Sequence, residues 1–359
     1  LQSVAIFLFL YGKSANVTGQ QWDKLLKVIE GKVFSPIPTG FIVDSPWLPN
    51  WYGADILDYF TNDEIWLKAN LQVAETFPDV MFLPGFWSEF GMCSEPSAFG
   101  SKCTLPRNVF PSSHRVIRHA GDIPKLIRPN PETDGFGPFI LNRLRLNRRK
   151  IEDSGHRICF SVSRGPLNIA SFLWGVTELM TAMITNPEEV HQLLELVNAY
   201  LIEWHDLQAD AFPTIDGILI LDDIIGFIGE EEFREFGLPY FKKLFDRDAS
   251  VKFLHNDATY KSSIGFMNEM GVNLFNMGFE SDLNELKALT QNRVTMLGNI
   301  PPRDVLANGT VEEMEQQVKS LINDLKDKRR VILSCGGGMP PDVTTEKIRA
   351  FVETVGKYS

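Results

Sequence analysis

The chain has 359 residues, 44% of them hydrophobic and 23% charged, which supplies a large core and excludes a disordered chain or a small disulfide scaffold. Its net charge of −11 and pI near 5.1 leave no footprint for nucleic acid or an anionic membrane surface and suit a cytoplasmic protein. Four cysteines (Cys93, Cys103, Cys159 and Cys335) at scattered spacings are expected as reduced thiols, although Cys93 and Cys103 share a loop in which a bridge would fit.

The apolar opening Val4–Tyr11 falls far short of the roughly 20 residues that span a bilayer and lacks the flanks of a signal peptide, so it reads as a segment docked on the core. Residues 1–35 read as an N-terminal helical extension, with Trp22, Leu25, Leu26, Val28 and Ile29 as its apolar stripe. Strands are expected near Phe41–Asp44 and at Asp79–Phe86. The stretches Ser45–Gly53 and Pro84–Pro106, rich in Gly, Pro, Ser and aromatics, read as long loops of the kind that carries function. The basic run Arg143, Arg145, Arg148, Arg149, Lys150 reads as a solvated helix face.

From residue 156 onward, apolar β-branched runs alternate with segments of helical period, the pattern of βα units on a parallel sheet. The strands are His156–Ser163, Asp216–Asp223, Val251–Asp257, Val272–Gly278, Arg293–Asn299 and Arg330–Gly336. One helix opens at Asn186-Pro187-Glu188-Glu189, with Asn as cap, Pro at the first position and Glu189 completing a capping box, and buries Val190, Leu193, Leu194, Val197 and Leu201. Another opens with Thr310 as cap and Glu313 three residues on, and buries Val311, Met314, Val318, Leu321, Ile322 and Leu325. Two early strands and six later ones give a single-domain (β/α)8 TIM barrel over 1–359, with the helical extension at 1–35 and long loops at its C-terminal face.

Residues at the C-terminal strand ends of such a barrel face the catalytic mouth. Here they are Ser163-Arg164-Gly165-Pro166, Asp222-Asp223, His255-Asn256-Asp257, Asn276, Gly298-Asn299 and Ser334-Cys335-Gly336-Gly337-Gly338. His255 and Cys335 offer nitrogen and sulfur donors that zinc takes readily, with Asp222, Asp223 or Asp257 as the third. A lone strand histidine is more often a hydrogen-bonded core residue, and a lone cysteine a small hydrophobe. Two carboxylates ending an apolar strand are costly to bury without donors or cations, so Asp222 and Asp223 are candidate catalytic residues. Because successive strand residues point to opposite faces, one of the pair faces the lumen and the other is expected to cap a helix or pair with a loop. The Gly336-Gly337-Gly338 run permits a close backbone approach, to a ligand or within a tight turn.

Several of these stretches resemble, in order, motifs of the uroporphyrinogen decarboxylase superfamily and its zinc methyltransferase branch, which exchanges methyl groups with corrinoid proteins. They are Gly165-Pro166-Leu167-Asn168-Ile169-Ala170 with Leu173-Trp174-Gly175, Asn186-Pro187-Glu188, Leu221-Asp222-Asp223, Phe236-Gly237-Leu238-Pro239-Tyr240, Leu297-Gly298-Asn299-Ile300-Pro301, and Ile332-Leu333-Ser334-Cys335-Gly336 with Pro340-Pro341-Asp342-Val343. The decarboxylase's N-terminal Arg-Gln-Ala-Gly-Arg motif has no counterpart before Trp51. The methyltransferase branch carries His-x-Cys where this chain has His255-Asn256-Asp257, so the resemblance implies His255, Cys335 and Asp257 as zinc ligands.

An aspartate in place of a thiolate makes a harder Lewis acid, suited to an ether oxygen. The resemblance therefore implies zinc-assisted cleavage of an O-methyl, methoxyaromatic donor, with the methyl group passing to Co(I) of a corrinoid carrier protein. Trp47, Trp51, Phe86, Trp87 and Phe90 are expected to line an aromatic pocket, with Glu89 and Asn276 as further substrate contacts. The alternatives are methyl transfer from a corrinoid to a thiol such as coenzyme M, a metal-free decarboxylase-like lyase, and a non-catalytic carrier-docking module. No nucleic acid or membrane partner is expected, and a homo-oligomer is left open.

Overall fold

The computed structural model describes residues 19–43 and 46–359, so the expected docking segment Val4–Tyr11 and the end of the expected strand Phe41–Asp44 lie outside the described residues. The strands in chain order are β1 Thr39–Ile42, β2 Val80–Leu83, β3 Cys103–Thr104, β4 Ser112–Ser113, β5 Phe160–Arg164, β6 Gly217–Leu221, β7 Val251–Asn256, β8 Leu274–Met277, β9 Thr295–Ile300 and β10 Val331–Cys335. Eight of them form one sheet in the order β2-β1-β10-β9-β8-β7-β6-β5, and each neighbouring pair is parallel. That is the order of an α/β barrel read from a seam between β2 and β5. Among the described residues no ladder joins those two strands, and an antiparallel bridge between Gly85 and Ile158 links the flanking loops. The short β3 and β4 pair with each other inside the long insertion between β2 and β5.

Strands such as Gly-Ile-Leu-Ile-Leu in β6 and Val-Ile-Leu-Ser-Cys in β10 are near-continuous apolar runs because helices cover one face and inward side chains fill the other. The helix Gly19–Ile29 buries Trp22, Leu25 and Val28. Trp22 meets the Phe160 ring edge-on at 5.3 Å, at the start of β5, and a Cβ at Gly217 would come within 2.6 Å of the same ring. This helix thus packs against the N-terminal ends of β5 and β6, away from the C-terminal end of the sheet.

Several local expectations are corrected. Trp47–Tyr52, read as loop, is a helix stopped by Gly53 in the left-handed region. Its form follows from distant contacts: Trp47 stacks on Phe82 and its indole N–H donates to the Val343 carbonyl, while the Trp51 indole donates to Thr345 Oγ1. Pro187 does open the long helix Pro187–Ala211, but the Asn186 side chain caps nothing and instead accepts from the Thr185 hydroxyl. The Thr310–Glu313 capping box forms as expected. Arg143 leaves the solvated face of its helix: it is buried, with Nε donating to Asp63 Oδ1 at 2.7 Å. All four cysteines are free thiols. No single helix among the described residues is long and apolar enough to cross a membrane.

Candidate metal centre

The pairing of β6, β7, β8 and β9 sets Leu221, His255, Asn276 and Leu297 side by side. Past this row, Asp223 follows β6 and Asp257 follows β7. The donor atoms of Asp223, His255 and Asp257 all lie within 4.8 Å of one another. His255 Nε2 is 3.3 Å from Asp257 Oδ1, and the Asp257 backbone N–H donates to Asp223 Oδ1 at 2.7 Å. His255 is buried, Asp223 half-buried, and Asp257 reaches solvent. Desolvation pushes the Asp257 carboxyl above its ordinary value; neighbouring His255 opposes that rise and Asp223 adds to it. Two carboxylates around one imidazole leave negative charge that a divalent cation would neutralise, so this donor set fits a metal.

Asn276 decides how His255 is presented. Its Nδ2 donates to the Leu297 carbonyl at 2.7 Å, so its Oδ1 is the atom facing His255 Nδ1 at 2.8 Å. An acceptor at that position requires Nδ1–H, and Nε2 is therefore left to face the carboxylates, as a lone pair in the neutral ring. This is the arrangement by which an outer hydrogen bond fixes a metal-ligating histidine.

The adjacent aspartates divide as the strand alternation requires. Asp222 is fully buried and turned away, its Oδ2 accepting from the Leu167 and Asn168 backbone N–H groups at the start of the helix Pro166–Trp174. Burial pushes this carboxyl up to about 8 against those hydrogen bonds, and neighbouring Asp223 adds to the rise. A Cβ at Gly165 would sit 2.3 Å from Asp222 Oδ2, so a glycine there makes room for the cap.

Cys335, at the end of β10, is not in the three-donor cluster; its Sγ lies 3.5 Å from the Gly337 carbonyl oxygen. The glycines after it approach protein rather than leaving a hollow. A Cβ at Gly337, whose φ is +76°, would fall 2.1 Å from Asp257 Oδ1, and one at Gly336 would fall 2.5 Å from the Phe279 nitrogen. The run seats Asp257 and the loop after β8.

The aromatic residues expected around substrate each have packing or hydrogen-bond partners within the protein. Trp47 and Trp51 bind the C-terminal segment as described, and the buried Trp87 donates its indole N–H to the Val43 carbonyl. Phe86 lies against Trp66 and His156, and Phe90 stacks on Phe136. Glu89 pairs with the buried Arg164 at 2.8 Å, and Glu95 completes that ion group by accepting the Arg164 backbone N–H.

Strand-end reasoning missed the residues one step further along. A cleft of about 340 Å³ opens beside Asp257, walled by Ala258 to Lys261 after β7 and by Gly278 to Ser281 after β8. The signal was available in principle, because barrel loops after ligand-bearing strands form the mouth, yet no unusual residue type marks these two. Behind β5, His205 is fully buried, its two ring nitrogens each 2.8 Å from a serine hydroxyl, Ser161 and Ser163.

Comparison with known proteins gives the family and the fold. The family model described as uroporphyrinogen decarboxylase (URO-D) matches residues 21–358. The uroporphyrinogen decarboxylase of Chlorobaculum tepidum is 26% identical over 261 residues, 68% of this chain and 71% of that protein. That of Mannheimia succiniciproducens is 24% identical over 279 residues, 74% of this chain and 76% of that protein. Among solved structures, a methyltransferase from Methanosarcina mazei superposes with a TM-score of 0.75 at 21% identity, over 96% of this chain and 99% of its own. A B12-independent methionine synthase from Shewanella sp. W3-18-1 superposes with a TM-score of 0.61 at 13% identity, over 89% and 98%. The structural likenesses establish the α/β barrel-type fold, and with the family model spanning residues 21–358 the chain belongs to the uroporphyrinogen decarboxylase family.

Proposed function

We propose that this chain is a zinc-dependent methyltransferase that cleaves the methyl group from a methoxyaromatic substrate and passes it to Co(I) of a corrinoid carrier protein. The observation that carries this reading is the cluster of Asp223, His255 and Asp257, with Asn276 turning His255 Nε2 toward the carboxylates. These three side chains would hold the ion; Cys335, at the end of β10, lies outside the three-donor cluster. Zinc bound there supplies Lewis acidity that two carboxylate donors keep hard, which favours an ether oxygen over a thiol. The chain's own contribution is positional. Asn276 holds the ring, Asp223 orders the Asp257 backbone, and the buried strand ends keep water from the inner side of the cluster.

A decarboxylase acting on a polycarboxylate would need cations at the mouth. Arg164, the strand-end cation, is already matched by Glu89 and Glu95, which weighs against that reading. Metal content by plasma mass spectrometry tests the proposal, on wild type and on His255→Ala and Asp257→Ala at equal circular dichroism. About one zinc per chain, lost in both variants, is the expected result, followed by methoxyaromatic demethylation with a Co(I) carrier. Folded wild type that takes up no zinc when it is offered overturns the reading.

A further inference from the structure

The cleft beside Asp257 has walls that are fixed before any ligand arrives. On the β7 side, Asn256 Oδ1 accepts from the Ala258 N–H at 2.8 Å and its Nδ2 donates to the Thr259 carbonyl at 3.0 Å. On the β8 side, Asn299 Nδ2 donates to the carbonyls of Phe279 and Ser281, at 3.2 and 2.5 Å, while Gly336 lies close behind the Phe279 backbone. Two strand-end asparagines thus pin both loops, and preorganised walls spare a ligand the entropy of ordering them. The Phe279 side chain is 44% exposed, an apolar ring at the edge of a cleft whose volume of about 340 Å³ is in the range of small-molecule sites.

Lys261 is the one cation in the lining, and it makes no ion pair among the described residues. Tyr260 turns its hydroxyl to Glu285. The acids of the lining are Asp257, which belongs to the metal cluster, and Glu280 on the β8 wall. An anionic substituent therefore has one favourable end of the cleft, at Lys261, while the face of an aromatic ring has one partner, Phe279.

We propose that this cleft between the loops after β7 and β8 is the substrate subsite, and that it selects a methoxyaromatic carboxylate: the ring lies on Phe279, the carboxylate pairs with the Lys261 ammonium, and the methoxy group reaches the cluster beside Asp257. This rests on the methyltransferase reading for the role of the methoxy group, but binding in the cleft is tested apart from turnover.

Isothermal titration of zinc-loaded protein with 3-methoxybenzoate and with 3-methoxybenzyl alcohol gives that test. Wild type is expected to bind the acid about tenfold more tightly than the alcohol, the size of one charge-assisted hydrogen bond. Lys261→Met removes that advantage and leaves the alcohol unchanged; Phe279→Ala weakens both ligands by a factor of about ten. Equal affinity of wild type for acid and alcohol overturns the carboxylate assignment. Wild-type affinities in the folded Phe279→Ala protein, or no binding of either compound to wild type, overturn the subsite. Binding as expected without methyl transfer to Co(I) upholds the subsite and overturns the reaction proposed above, so the two failures are distinguishable.

Discussion

At His255 a single amide decides which ring nitrogen faces the mouth. Removing it frees the ring and its tautomer, and outer-shell partners of this kind are worth about 10–100-fold in metal affinity. Asn276→Ala is therefore expected to lose zinc in a chelator competition at that scale, whereas Asn276→Asp, which keeps an acceptor toward Nδ1, retains most of it. Unchanged affinity in Asn276→Ala would show that the ring is held by something else. Other histidines act on stability. Burial depresses His156 to about 4 and holds His205 well below its ordinary value, with Arg247 adding to the latter, so both are neutral in the fold. The unfolded chain takes up protons below about 6.5 that the native chain refuses, so stability is full above that pH and falls as pH drops toward 4. For His156 alone the loss is at most about 3 kcal/mol. Urea midpoints between pH 7 and 5 should show this limb in wild type and a shallower one in His156→Phe; identical slopes would rule His156 out as a contributor. At this scale the sequence was readable where chemistry is rare. His255, Asp223 and Asp257 stand out as charged or ligating groups at the ends of apolar strands. The tryptophans did not reveal their role, because the carbonyl or hydroxyl each indole needs lies far away in the chain, at Val343 for Trp47 and Thr345 for Trp51.

Elements were legible to the extent that their own residues determine them. The six later strands and the helix at Thr310 carry their signals locally, in apolar runs and in a cap with its reciprocal glutamate. The helix Trp47–Tyr52 carries Pro49 and no side-chain cap, and forms because Trp47 and Trp51 are held from the C-terminal segment. The glycine run after β10 was legible as a close approach, but its partner was not: Asp257 lies 80 residues earlier and meets it only through sheet order. Gly337→Ala is expected to displace Asp257, since the new methyl would overlap its carboxylate and the left-handed φ adds strain. A fall in zinc affinity of at least about tenfold, larger than the change in melting temperature would suggest, is the outcome to look for. A variant that binds zinc normally would show that the loop relaxes around the methyl group.

In the whole molecule the core does not depend on the cluster. Hydrophobic side chains from every barrel strand are buried, and the three donors sit at the C-terminal end of β7 (His255) and just past the ends of β6 and β7 (Asp223 and Asp257). Chelation should therefore leave the far-ultraviolet circular dichroism unchanged and lower the melting temperature by no more than bound-ligand linkage requires. Global unfolding on chelation would instead make the site a structural one. The donors also come from a short stretch of chain, two neighbouring strands joined by one crossover. On a ribosome the complete ligand set has been made once residue 257 is added, whereas the amide that orients its histidine arrives at residue 276 and the glycine that seats its aspartate at residue 337. On the proposed zinc reading, metal capture and metal retention are separated in time: a nascent chain holds the donors first, and the part of the protein after them, as it is made and docks, tightens the grip.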